Sequence, residues 1–88
     1  MATTGHITVA SAGTAVAGPD EKNDDGFLLR VYTAGESGWF FDNDGSATKA
    51  DDGVEIDSFG WSYTAVTNLN DLKFDAETNG DEIGWVKA

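Results

Sequence analysis

Short alternating runs, each ended by a turn former, constrain this chain more than any other feature. Gly5-His6-Ile7-Thr8-Val9-Ala10 alternates and is β-branched. It reads as a strand with Ile7 and Val9 on one face. Ser11-Ala12-Gly13 reads as a turn, and Thr14-Ala15-Val16-Ala17 as a second short strand stopped by Gly18-Pro19. A polar loop, Asp20 to Gly26, separates it from Phe27-Leu28-Leu29-Arg30-Val31-Tyr32-Thr33. That run is apolar on both faces except at Arg30, the pattern of a central strand. Trp39-Phe40-Phe41 is followed by Asp42-Asn43-Asp44-Gly45-Ser46, a hairpin-turn signal, with Ala47 to Ala50 pairing back. Val54-Glu55-Ile56, Trp61 to Thr67, Leu72 to Ala76 and Ile83 to Lys87 read as further strands. Asn68 to Asp71 reads as a turn or one helical turn, and Asn79-Gly80 as a tight turn. No apolar stripe recurs at i, i+3, i+4, i+7. Eight or nine short strands with turns this tight predict an all-β fold, a compact antiparallel β-sandwich or small barrel.

An 88-residue chain makes one domain, residues 1–88, with a thin core. Residues 1–6 are expected to form a flexible arm. Without cysteine, disulfides and thiolate zinc sites are excluded, and one histidine leaves no His-rich metal site. High charge with low hydrophobicity predicts disorder, but here 40% of residues are hydrophobic and ten are aromatic, so the chain is expected to fold. The net charge of −11 argues against binding nucleic acid through phosphates, and against anionic membranes. The first ten residues lack the basic start and apolar stretch of a signal peptide.

No catalytic motif is present, and the expectation is a protein that is not an enzyme and needs no cofactor. Among sixteen acids some pair falls at glycosidase spacing by chance. A calcium reading of the Asp42 turn fails as an EF-hand. Gly45 at position 6 puts Phe40, which cannot ligate, at position 1. A different cation loop would use Asp42, Asp44 and Asp51; the expected reading is a plain turn. Asp20, Glu21, Asp24 and Asp25 read as a solvated loop. Trp39, Trp61, Trp85, Phe59 and Tyr63 could stack sugars, but a thin β core uses large aromatics for their area, and Trp61 and Trp85 alternate as core residues. Trp39, Phe40 and Phe41 cannot all point inward, because neighbours on a strand face opposite ways. At least one is expected to be covered by a loop, a second sheet or another subunit. These three are the expected interface, with Ala2, Thr3, Thr4 and His6 of the arm as a second contact element.

Ile7-Thr8-Val9 with Gly13-Thr14-Ala15-Val16, the aromatic strand running into a glycine turn, and Asn68 to Ala76 with Gly80-Asp81 and Ile83-Gly84-Trp85-Val86 together resemble the small β-rich structural proteins of tailed bacteriophage virions. Head decoration (cement) proteins are among them. The resemblance implies a non-enzymatic protein made in the host cytoplasm and placed on the outer capsid surface. There it would bind the lattice of assembled major capsid protein and stabilise the shell. It also implies self-association, with a trimer favoured. A small domain that binds only the assembled shell stabilises it by mass action, with many weak contacts acting together.

Two other classes fit parts of the chain. A carbohydrate-binding β module or virion adhesin requires an exposed aromatic plate, with Trp39 or Phe41 as the expected residue. An acidic DNA mimic requires carboxylates spaced along one elongated face, whereas the acids here cluster in turns.

Overall fold

The computed structural model describes residues 3–42 and 53–88. Among these residues the alternating runs become eight antiparallel strands in two four-stranded sheets. The strands are β1 (Thr4–Val9), β2 (Val16–Ala17), β3 (Phe27–Val31), β4 (Gly38–Asp42), β5 (Val54–Ile56), β6 (Ser62–Thr64), β7 (Leu72–Ala76) and β8 (Asp81–Lys87). One sheet runs β1-β8-β3-β6 and the other β2-β7-β4-β5. This is the expected sandwich class. Asn68 starts the single helical turn Leu69–Asp71, its side chain accepting from the Asn70 N–H.

Alternation sorts each strand into an inner and an outer set. Ile7 and Val9 of β1, Phe27, Leu29 and Val31 of β3, and Ile83 and Trp85 of β8 form one inner surface. Ile56, Leu72, Phe74 and Ala76 form the other, with Leu69 closing an end. The rings of Phe27 and Trp85 meet edge to face, centroids 5.9 Å apart. As expected, β3 is central: it pairs with β8 on one side and β6 on the other. Its pattern of buried Phe27, Leu29 and Val31 against exposed Arg30 follows the sandwich geometry.

Close backbone approach explains two glycines and a positive φ a third. A methyl at Gly18 would run into the Leu69 carbonyl. At Gly26 it would overlap the Thr64 carbonyl, and φ there is +85°. Gly80 takes φ 79° in the Asn79-Gly80 turn.

Two buried carboxylates tie loops to the sheets. Asp75 Oδ1 accepts from the Gly13 N–H at 3.0 Å and the Ala76 N–H at 2.8 Å. Asp81 Oδ1 accepts from Thr33 Oγ1 and the Glu82 N–H, both at 2.8 Å.

Two expectations are corrected. The segment expected as an arm is strand from Thr4 onward: Thr4 pairs with Val86, Gly5 with Trp85 and His6 with Gly84. The Thr3 carbonyl also accepts from the Lys87 N–H. Backbone pairing with β8 therefore holds residues 3–6, and Ala2 lies outside the described residues. Trp61, expected in the core, is half exposed, because β6 turns Thr64 inward and the opposite parity outward.

Candidate functional site

The outer face of the β1-β8-β3-β6 sheet is where the exposed aromatic residues collect. Register places Thr4, Val86, Leu28 and Tyr63 in one row across the four strands. The next row holds His6, Gly84 and Arg30, with Trp61 beside Arg30. Thr8 and Glu82 lie in the third row, and the Tyr32 N–H bonds to the Glu82 carbonyl at 3.0 Å. Tyr32, Trp61 and Tyr63 are 55%, 50% and 57% exposed, and Phe59, in the corner leading into β6, is 77% exposed.

Trp61 and Tyr63 are held by neighbouring groups. The Arg30 guanidinium lies 5.9 Å from the Trp61 ring centroid, and its Nε donates to the Ser58 carbonyl at 3.0 Å. At an exposed site such a cation–π contact contributes about 0.5–1 kcal/mol. Ser58 is buried and its hydroxyl accepts from the Gly35 N–H, so the corner that carries Phe59 is anchored from below. The Tyr63 hydroxyl donates to the Asp25 carbonyl at 2.9 Å. Tyr32 lies over Gly84, where a methyl would overlap its ring. The glycine therefore makes a hollow in the sheet that the tyrosine fills, and the His6 ring stands 5.8 Å from that tyrosine. His6 Nε2 and Glu82 Oε2 are 2.9 Å apart. The result is a sheet surface of exposed rings, with Trp61 and Tyr63 held in place and one guanidinium, one imidazole and one carboxylate among them. Fixed side chains lose little freedom on binding, which favours recognition.

The residues expected as interface are distributed differently. Phe40 pairs with Phe74 and packs against the core, while Trp39 and Phe41 take the other parity on β4. Phe41 is buried. Trp39 is half-buried, in register with Asp75 and Glu55, and makes contacts of its own within the fold. The trio therefore splits between two faces of the second sheet. Of the arm residues, Thr4 donates from Oγ1 to the Trp85 carbonyl, and His6 joins the aromatic face. Asp42 pairs through its backbone with Leu72, and Asp44 and Asp51 lie outside the described residues. Among the described residues no three His, Asp or Glu side chains group as metal ligands.

From sequence, Phe59, Trp61 and Tyr63 read as able to stack sugars but with a core role preferred, and Tyr32 was not singled out. A signal was there: Trp61-Ser62-Tyr63-Thr64 alternates large aromatic with small hydroxyl. The parity of Arg30 on the neighbouring central strand marks the solvent side. Compared with known protein families, curated proteins and solved structures, the chain matches none, so its functional reading rests on this face.

Proposed function

We propose that the chain is a non-catalytic structural protein that docks onto an assembled protein shell through the outer face of its β1-β8-β3-β6 sheet. In the terms of the sequence resemblance, that is a capsid decoration role in a bacteriophage virion. One observation supports the docking face: Tyr32, Trp61 and Tyr63 stand exposed on the outer face of one sheet, with Trp61 and Tyr63 held by Arg30 and the Asp25 carbonyl. Large rigid aromatics beside an arginine are the residue types that dominate binding at protein interfaces. A four-stranded sheet face suits a partner surface that is itself broad, and repeated shallow contacts gain strength from a lattice.

The same face supports a second reading. Trp61 beside Arg30, with His6 and Glu82 nearby, offers a stacking plate with hydrogen-bonding groups, which is what a sugar ring requires. Co-sedimentation with undecorated heads of the source phage separates the two. Saturable binding at a fixed ratio to the capsid protein is the expected result. Failure to bind at micromolar protein, with retention on a glycan array, would replace the shell reading by the carbohydrate one.

A further inference from the structure

We infer that the free edge of β1 is a self-association site, at which two copies of this chain pair their β1 strands antiparallel about a two-fold axis through His6. Sheet edges invite pairing, and proteins ordinarily blunt them with short strands, lysine or proline. Among the described residues three of the four sheet edges are short: β2 has two residues, and β5 and β6 have three each. The fourth, β1, has six residues, Thr-Gly-His-Ile-Thr-Val, with no lysine, proline or acid. In a chain of net charge −11 this is a long edge where two copies meet without bringing carboxylates on the pairing strands together.

The backbone supplies the partners. The Lys87 N–H bonds to the Thr3 carbonyl, so odd-numbered residues of β1 turn their N–H and C=O toward β8. Thr4, His6 and Thr8 therefore turn theirs outward, and all three residues are exposed. The His6 ring leans back over the sheet toward Glu82 and Tyr32, which leaves the edge open. The outward positions read Thr, His, Thr and are symmetric about His6. Two-fold pairing centred there sets Thr4 of each copy opposite Thr8 of the other, a favourable cross-strand pair. That symmetry selects a second copy over a foreign strand as occupant, and a two-fold dimer over a trimer. Pairing would join the two β1-β8-β3-β6 sheets into one of eight strands, with both aromatic faces on it. The inference stands whether or not those faces dock on a shell.

Sedimentation velocity on the full chain, from micromolar to millimolar, tests it with three variants. Thr8→Pro removes an outward N–H without removing a bond to β8, and Thr8→Lys adds the charge that ordinarily protects an edge. His6→Cys introduces the sole cysteine of the chain. At the axis of such a pair the two Cα atoms stand about 5.5 Å apart, within disulfide range. The expected results are a wild-type dimer, monomers for both Thr8 variants with unchanged circular dichroism, and oxidative dimerisation of His6→Cys but not of the exposed control Thr67→Cys. A wild-type monomer throughout the range would overturn the inference. So would a dimer that persists in Thr8→Lys while His6→Cys fails to cross-link. Should Thr8→Pro not fold, the other two variants decide.

Discussion

Arg30 and Gly84 show how single residues shape the proposed docking face. Arg30 fixes Trp61 from the side and the Ser58 carbonyl from above, so its removal frees a ring without opening the core. Gly84 admits the Tyr32 ring. A methyl there meets the end of an exposed side chain that can swing away. At Gly26 a methyl meets backbone that cannot, on a residue held at φ +85°. Gly84→Ala is therefore expected to cost less than about 1 kcal/mol, and Gly26→Ala more than that. Urea unfolding of the two variants checks the order, and equal losses would contradict the account of Gly26. Phe74→Ala is expected to cost about 3–5 kcal/mol, because Phe74 is fully buried between the sheets. That is a large share of the stability a small domain has, so the variant should populate the unfolded state measurably at 25 °C by circular dichroism.

Strand by strand, periodicity was a good guide to which residues share a face and a poorer one to which face is inside. Ile7 and Val9 could be placed on one face because His6 and Thr8 occupy the alternate positions, and Arg30 marks the solvent side of β3. The glycine turns were legible for a similar reason, since Gly13, Gly35 and Gly80 all adopt positive φ. β6 gave no such cue. Trp61 and Tyr63 share a face, but large aromatics suit a core as well as a surface, and the choice depends on β3, to which β6 pairs. β4 carries aromatics at both parities, so its alternation separates Phe40 from Trp39 and Phe41 without saying what covers either side. The candidate site was accordingly legible only at His6. Its other members are brought together by register between strands distant in sequence, which no local pattern records.

At the scale of the whole molecule, charge opposes the fold. The net charge is −11, and among the described residues Lys87 pairs with Glu21 while His6 contacts Glu82. Five basic residues face sixteen acids, so repulsion among the unpaired acids is the larger effect. Raising salt from about 0.01 M to about 0.15 M shortens the screening length from roughly 30 Å to 8 Å. The melting temperature is expected to rise over that interval, and a fall would show that attractive pairs dominate. The central claim is that the outer face of the β1-β8-β3-β6 sheet serves binding rather than stability. Its most direct test is a titration of undecorated shells with wild-type protein and Trp61→Ala, with melting curves for both. The account predicts at least about a tenfold loss of affinity for the variant and a melting temperature close to wild type. Undiminished binding with a collapsed melting temperature would make Trp61 a structural residue and contradict the claim.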